Sequence, residues 1–315
     1  MANAWTVDSL PSQAGRRMII TGAGGIGLEA ARVLARKGAE IILTARSLER
    51  GQAAVELIRR ETPGALVSTL PLDLADLSSV RAFSEQFLAL AVPLDVLVNN
   101  AGVMALPYRK TRDGFEMQFG TNHLGHFALT GLLLPALLSS GASGGAPARV
   151  VTVSSGMHII GRVDFDNLDG SRGYRRWAAY GQSKLANLLF AYELDRRFKT
   201  ANINAISVGC HPGYAATNLQ TAALRMENQT RFEKLVDWGN RAVAQSAEDG
   251  ALPTVFAAAD PSVNGCDYIG PTGLFTMRGR PGKQKSTPMS YDEALARELW
   301  EVSERLTGVQ VEFVK

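Results

Sequence analysis

The chain has 315 residues, with 33 basic and 30 acidic side chains and a formal net charge of +3 at pH 7. This near balance excludes the dense basic surface typical of nucleic-acid-binding proteins, so we expect no nucleic-acid partner. Two cysteines cannot form a disulfide framework, and neither end carries an apolar run of about twenty residues. We therefore expect a cytoplasmic protein without a membrane anchor.

The first motif is a glycine turn between a predicted strand and a predicted helix. Met18 to Thr21 is typical of a short buried strand, and the periodic segment Leu28 to Lys37 is typical of a helix. Between them, Gly22, Gly24 and Gly27 have the spacing G-x-G-x-x-G. Glycines let the backbone approach a pyrophosphate, whose charge meets free N–H groups at the helix N-terminus. The motif and its context together predict a dinucleotide site.

The second strand, Glu40 to Thr44, ends at the position where a dinucleotide fold reads the ribose. Ala45 and Arg46 follow it, and a charged helix is predicted from Leu48 to Glu61. An NAD site places an acid here for the 2′-hydroxyl, whereas an NADP site places an arginine for the 2′-phosphate. Arg46 therefore favours NADP(H) over NAD(H). The alternative is a solvated arginine at the head of the helix.

Strand and helix patterns alternate along most of the chain. Further strands are predicted at Val67 to Leu70, Asp95 to Val98 and Arg149 to Val153, and the apolar stretch Gly125 to Leu138 is expected to be a buried segment too short to span a membrane. This alternation indicates an α/β fold with a parallel sheet and helices on both faces, whose ligands bind beyond the carboxyl ends of the strands. Candidate polar or glycine residues at these ends are Gly22, Arg46, Asp73, Asn99 and Ser155.

A tyrosine and a lysine, Tyr180 and Lys184, are four residues apart and follow the serine pair Ser154 and Ser155. On a helix such residues share a face, so the ammonium is expected to lower the pKa of the phenol from its ordinary ~10. This is the arrangement of a general acid/base. Only one serine can point at a substrate if the strand persists, and Ser154 is the alternative to Ser155. By itself, the Tyr/Lys spacing also occurs in ordinary packed helices.

These motifs, in this order from Arg17 to Gly273, resemble the short-chain dehydrogenase/reductase family. The stretches Asn122 to Phe127 and Ala179 to Asn187 resemble its retinol dehydrogenase-like branch. The resemblance implies a Rossmann-type doubly wound parallel sheet of about seven strands and NADP(H)-dependent hydride transfer to or from a carbonyl or alcohol substrate. The implied catalytic residues are Tyr180 as proton donor or acceptor, Ser155 orienting the substrate oxygen, Lys184 also holding the nicotinamide ribose, and Asn122 holding a water relay to Lys184.

The resemblance also implies a set of cofactor-binding residues. They are Gly22, Gly24, Gly25, Ile26, Gly27, Arg46, Asp73, Leu74, Asn99, Ala101, Gly102, Tyr180, Lys184, Pro212, Gly213 and Thr217. One departure concerns the glycine turn, which is one residue shorter between Thr21 and Gly27 than the family pattern T-G-x-x-x-G-x-G. We expect altered contacts to the pyrophosphate at this turn.

The remaining expectations concern the whole chain. We expect a single domain over residues 1–315, a substrate-covering segment at about 214–244, and a last helix from Tyr291 to Leu306 begun by a capping box of Ser290 and Glu293. We expect that helix either to pack within the fold or to form a subunit contact in a possible homo-oligomer. Mostly apolar candidate wall residues indicate a hydrophobic substrate: Met104, Leu106, Pro107, His158, Ile159, Tyr174 and Phe275.

Two other functions remain open, and metal chemistry is not expected. A nucleotide-binding sensor or scaffold without turnover, or a reductase of a carbon–carbon double bond, would keep the same fold and much of the same site. His123, His126 and His211 are not at zinc-ligand spacing with any cysteine, so we expect packed or hydrogen-bonding histidines and no metal.

Overall fold

The computed structural model describes residues 5–142, 145–214 and 245–313. Its strands are β1 (Arg17–Thr21), β2 (Glu40–Ala45), β3 (Val67–Pro71), β4 (Val96–Asn99), β5 (Ala148–Val153), β6 (Ala205–Cys210), β7 (Tyr268–Pro271) and β8 (Pro281–Gln284). They form one sheet in the order β3-β2-β1-β4-β5-β6-β7-β8. Only β8 is antiparallel to its neighbour among these strands. The order reverses between β1 and β4, where a doubly wound sheet opens its binding crevice.

The helices cover both faces of the sheet. They are α1 (Gly25–Arg36), α2 (Leu48–Glu61), α3 (Leu77–Leu88), α4 (Met117–Phe119), α5 (Gly125–Ala142), α6 (Arg176–Thr200), α7 (Ala247–Ala259) and α8 (Glu293–Thr307). A π-helical turn, Gly120–Leu124, joins α4 to α5. Short 3-10 helices lie at Val7–Ser9, Gly156–Ile160, Phe165–Asn167, Leu274–Thr276 and Pro288–Tyr291.

Alternate residues of each strand enter two separate apolar cores. On β1, Met18 and Ile20 pack in one core with α1, α2 and α7, while Ile19 packs in the other with α3, α5 and α6. This alternation follows from the two-residue repeat of a strand. The predicted α/β sheet with helices on both faces is confirmed, with eight strands where about seven were expected.

Two helix starts differ from the sequence prediction. Helix α1 begins at Gly25 rather than Leu28, because the glycine turn itself supplies the first helical residues. The last helix begins at Glu293, and its cap is Asp292, whose carboxylate accepts a hydrogen bond from the Leu295 N–H. The prediction of a capping box formed by Ser290 and Glu293 was therefore wrong. The Asp292 carboxylate thus satisfies an N–H group in the first turn of the helix, as an N-cap aspartate commonly does.

The apolar stretch around α5 is longer than predicted. Helices α4 and α5 with their π-helical turn form one helix, Met117–Gly141, of 25 residues with a mean hydropathy of 1.4 in its most apolar window. By length and composition it could cross a membrane, which corrects the prediction that it is too short. It is also a core helix of the sheet, and 72% of that window is buried within the fold.

Candidate active site

A cavity of about 660 Å³ lies at the carboxyl edge of the sheet, above the β1/β4 switch point. Its lining includes twelve of the predicted site residues: Gly22, Gly24, Gly25, Ile26, Arg46, Asp73, Leu74, Ala101, Gly102, Tyr180, Lys184 and Pro212. Gly27, Asn99, Asn122, Ser155 and Gly213 lie outside the lining, and Thr217 is outside the described residues. None of the seven candidate wall residues lines this cavity.

The glycine turn is closed by two glycines in the left-handed region. Gly22 has φ +92° and Gly25 has φ +52°, conformations that side chains with a Cβ rarely adopt. Gly24, between them, is the extended N-cap of α1 and provides no capping side chain. The first N–H groups of this twelve-residue helix therefore face a cavity edge without a side-chain cap, as an anion site requires. The shorter turn therefore leaves the start of α1 uncapped by a side chain at the edge of the cavity.

Residues that the sequence did not point to hold this turn in place. The Thr21 hydroxyl accepts hydrogen bonds from the Asn100 and Ala101 N–H groups, both at 2.9 Å, and the Asn100 side-chain amide donates to the Thr21 carbonyl at 2.8 Å. His126 Nε2 lies 2.9 Å from the same hydroxyl, and its Nδ1 lies 3.0 Å from the Asn122 carbonyl oxygen. A buried polar chain thus joins the glycine turn to the predicted catalytic asparagine. No motif in the sequence indicates this chain of hydrogen bonds, because strand β1 and the π-helical turn come together only in the folded protein.

Tyr180 and Ser155 are brought together from α6 and the end of β5. Burial raises the pKa of Tyr180 to about 12, and a side-chain hydrogen bond with Ser155 partly opposes that rise. Lys184 Nζ lies 5.7 Å from the centre of the Tyr180 ring and donates to the Val153 carbonyl oxygen at 3.1 Å. Burial lowers the pKa of Lys184 to about 8. The expected lowering of the phenol pKa by the lysine is therefore wrong for the protein alone, since burial dominates.

The two serines have different partners. The Ser154 hydroxyl donates to the Lys184 carbonyl oxygen at 2.7 Å, which fastens the end of β5 to α6. Ser155 Oγ accepts a hydrogen bond from the Met157 N–H and interacts with the Tyr180 phenol. Ser154 does line the cavity, but its hydroxyl is already used within the fold. The hydrogen bonds favour Ser155 as the residue that acts with Tyr180.

Asn122 lies on the π-helical turn behind the cavity and is fully buried. Its Oδ1 accepts from the Val103 N–H at 2.8 Å, and its amide donates to the Val103 carbonyl and to Ser183 Oγ, both at 2.9 Å. A Cβ added at Gly102 would lie 2.9 Å from Asn122 Oδ1 and 3.6 Å from Lys184 Nζ. The backbone of Gly102 therefore runs between the asparagine and the lysine, and only glycine leaves that space open.

The other predicted residues act mainly on the backbone around the cavity. Asp73 Oδ1 accepts from the Ala75 N–H at 3.0 Å, and the Asn99 amide donates to Thr130 Oγ1 at 3.0 Å. Gly213 has φ +69°, and its N–H donates to His211 Nδ1 at 3.2 Å. These contacts set the positions of loops at the strand ends.

The histidines are packed within the fold. His123 lies among Phe119, Phe127 and Phe190 and is 2.9 Å from Ser303 Oγ, and burial lowers its pKa to about 3. Burial likewise lowers the pKa of His126 and of His211 to about 4, so all three are neutral at pH 7. Within residues 5–142, 145–214 and 245–313, no three His, Cys, Asp or Glu side chains come together as a metal site.

Comparison with known proteins places this arrangement in a family. The short chain dehydrogenase family matches residues 16–228. The chain belongs to the short-chain dehydrogenase/reductase family. Polyprenol dehydrogenase of Mus musculus is similar to this dehydrogenase, with 44% identity over 301 residues that cover 95% of this chain and 86% of the relative. Retinol dehydrogenase 13 of Homo sapiens is 40% identical over 320 residues, covering 98% and 91%.

Solved structures agree with this assignment. An uncharacterized protein from Mycobacterium paratuberculosis is 40% identical to this dehydrogenase, with a TM-score of 0.79 over 98% of this chain and all of the other. The Pseudomonas aeruginosa RhlG/NADP active-site complex shares the fold at 23% identity, with a TM-score of 0.62 over 82% and 94% of the two chains. The predicted resemblance to the retinol dehydrogenase-like branch is confirmed by the relatives.

Proposed function

We propose that this dehydrogenase transfers a hydride between NADP(H) and a carbonyl or alcohol carbon, with Tyr180 as the general acid/base. The observation that carries this proposal is that Tyr180 and Lys184 both line the cavity, with Lys184 Nζ 5.7 Å from the centre of the Tyr180 ring and the Ser155 hydroxyl near enough to the phenol to oppose the rise of its pKa. The pair lies at one end of the cavity, whose other end holds the glycine turn and Arg46. The cavity, the uncapped helix N-terminus and the cationic end together fit a phosphorylated dinucleotide.

The residues at the catalytic end define a proton path. Bound NADPH supplies the hydride, and the protein supplies orientation and the proton. At neutral pH the phenol of Tyr180, with its pKa of about 12, holds the proton that a carbonyl oxygen accepts on reduction. Ser155 donates a hydrogen bond to the same oxygen or to the phenolate. Lys184, with its pKa of about 8, is mainly charged at pH 7 and stabilises the phenolate electrostatically.

The preference for NADP(H) rests on the end of β2. Arg46 and Arg50 both line the cavity there, together with Ser47, and no acidic residue of the described chain other than Asp73 does so. A guanidinium binds a 2′-phosphate through charge-assisted hydrogen bonds, whereas NAD offers only a hydroxyl at that position. Asp73 and Leu74 line the neighbouring wall and are assigned to the adenine.

The proposed substrate is an apolar alcohol or carbonyl compound. Relatives with 37–48% identity carry the names retinol dehydrogenase and polyprenol dehydrogenase, which act on apolar alcohols by name. In this proposal the chain is one cytoplasmic domain over residues 1–315. Residues 214–244 cover the substrate, and Thr217 holds the carboxamide of the nicotinamide. Of these residues, 215–244 lie outside the described part of the chain. Helix α8 is a candidate contact in a homo-oligomer.

The test is Tyr180→Phe, which removes only the phenolic oxygen. We expect the variant to keep the wild-type affinity for NADPH, followed by energy transfer from tryptophan, and to reduce retinal and long-chain aldehydes at under about 1% of the wild-type rate. The matched control is Tyr108→Phe, since Tyr108 is an exposed tyrosine whose hydroxyl donates to the Asp169 carbonyl. Substantial activity in Tyr180→Phe would contradict the assignment of Tyr180 as the general acid/base.

The same assays separate the two other functions. A sensor or scaffold would bind NADPH but reduce no carbonyl compound in the wild-type protein. A reductase of carbon–carbon double bonds would convert an enal to the saturated aldehyde rather than to the allylic alcohol, as product analysis shows directly.

A further inference from the structure

The β7–β8 hairpin carries an unusual concentration of positive charge. From Tyr268 to Tyr291 the sequence contains four basic residues and no acidic one, although the chain as a whole is nearly balanced. The basic residues are Arg278, Arg280, Lys283 and Lys285. Lys283 pairs with Asp267 at 2.7 Å, and the side chain of Arg280 is exposed. The hairpin is therefore a local cationic surface.

The tip of this hairpin, residues 272–280, also exposes large apolar side chains. Phe275 is 79% exposed and Met277 is 46% exposed. Phe275 and Thr276 have φ of +52° and +57°, so two consecutive residues with a Cβ lie in the left-handed region. Such conformations are costly and point to a function when they hold an apolar side chain in solvent. Phe275 is thus an exposed apolar side chain just before the basic residues of the hairpin in sequence.

The tip lies beside the mouth of the active-site cavity. The Tyr214 N–H donates to the Met277 carbonyl oxygen at 3.0 Å, two residues after Pro212, which lines the cavity. The segment that follows β8 is tied to the same region, since the Thr287 N–H lies 3.3 Å from His158 Nε2. Next to that histidine, Ile159 is 68% exposed. The exposed apolar side chains and the basic residues therefore belong to segments that are joined by hydrogen bonds near Pro212 and His158.

We propose that the hairpin tip docks this dehydrogenase on an anionic lipid surface. Phe275 and Met277 enter the headgroup region, and Arg280 and Lys285 attract the lipid phosphates. Interfacial anchors combine apolar side chains with flanking basic residues in this way. An acidic protein would satisfy the charges, but it does not account for a phenylalanine that stands free at a convex tip.

The proposal does not depend on the proposed reaction, because membrane binding is measured without turnover. The probe is co-sedimentation of the full chain with phosphatidylcholine vesicles containing about 30% phosphatidylserine, and with pure phosphatidylcholine vesicles. We expect sedimentation only with the anionic vesicles, and release on raising the salt concentration. If Tyr180 is not the general acid/base, the vesicle-binding result is unaffected.

Two variants and two matched controls test the surface itself. Arg280→Gln/Lys285→Gln is expected to lower the partition coefficient about 25-fold, or about fivefold for each charge. Its control, Arg36→Gln/Arg60→Gln, removes the same net charge from the ends of α1 and α2, away from the cavity. Phe275→Ser is expected to lower binding about tenfold or more. Its control is Leu66→Ser, since Leu66 is 64% exposed just before β3.

The outcomes decide the proposal. Anionic-vesicle binding that falls in both hairpin variants and stays at the wild-type level in both controls supports it. Absence of binding to anionic vesicles overturns it, as does an equal loss in the controls, which would indicate a general charge effect. Binding to polyglutamate with none to vesicles also overturns it and assigns the surface to an acidic polypeptide.

Discussion

Replacement of Gly27 by alanine tests whether the shortened glycine turn depends on close packing between β1 and α1. The added methyl group would lie 2.5 Å from Asn100 Nδ2 and closer still to the Gly22 carbonyl oxygen. The first distance is roughly 1 Å inside ordinary contact. A backbone oxygen cannot rotate away, so α1 must move. Overpacking of this kind costs about 1–3 kcal/mol, and the better helix propensity of alanine returns about 1 kcal/mol.

We therefore expect Gly27→Ala to lower the free energy of unfolding by about 1 kcal/mol, with an upper limit of about 2 kcal/mol. Because Gly22 and Asn100 both line the cavity, the affinity for NADPH should fall about tenfold as well. Chemical denaturation and NADPH titration measure the two effects separately.

The matched control for Gly27→Ala is a substitution three residues earlier in the same turn. Gly24 has extended backbone, and no atom lies within 4 Å of the position that a Cβ would occupy. Gly24→Ser adds that Cβ together with an oxygen able to cap α1, so we expect a stability within about 0.5 kcal/mol of wild type. A Gly27→Ala protein as stable as wild type, or a Gly24→Ser protein that loses as much, would refute the packing argument.

Two further predictions concern charge. Arg46→Asp should shift the cofactor preference towards NADH, because the carboxylate repels a 2′-phosphate and binds a 2′-hydroxyl. The ratio of the NADPH and NADH dissociation constants measures this preference. An unchanged ratio would contradict the assignment of Arg46 to the 2′-phosphate. For Lys184, burial lowers the pKa from 10.5 to about 8, so between these values the unfolded chain binds more protons than the folded protein. The stability of wild type relative to Lys184→Met should therefore rise across that pH window, by up to about 3 kcal/mol, in urea denaturation at several pH values; a flat difference contradicts the pKa shift.

Five strands could be predicted because each is mainly apolar or β-branched. Continuous runs such as Met18 to Thr21 can pair only within a buried parallel sheet, and the predicted bounds of five strands agree with the structure to within one residue. Strand β8 could not be found in this way. Its sequence, Pro281-Gly282-Lys283-Gln284, has no strand preference of its own. It is a strand only because it pairs with β7.

Site residues could be predicted where they share one strand end or one helix face. Contacts between residues on separate elements could not be predicted. Residues at strand ends, such as Arg46 and Asp73, line the cavity because parallel strands all end at one edge. The chain of Thr21, His126 and Asn122 joins β1 to the π-helical turn through space. The four-residue step from Asn122 to His126 follows from helix geometry, but nothing in the sequence indicates the contact between Thr21 and His126, which are 105 residues apart.

Tyr180 and Lys184 show the limit of spacing as a guide to chemistry. Their four-residue separation correctly places both on one side of α6, but it carries no information about the dielectric around them. Both are buried beneath the cavity, where desolvation favours the neutral form of each, so the pKa of the phenol rises while the pKa of the ammonium falls. The lysine is also held by the Val153 carbonyl rather than by the phenol oxygen. In the protein without ligands, burial therefore favours the protonated phenol of Tyr180, as its proposed role of proton donor in carbonyl reduction requires.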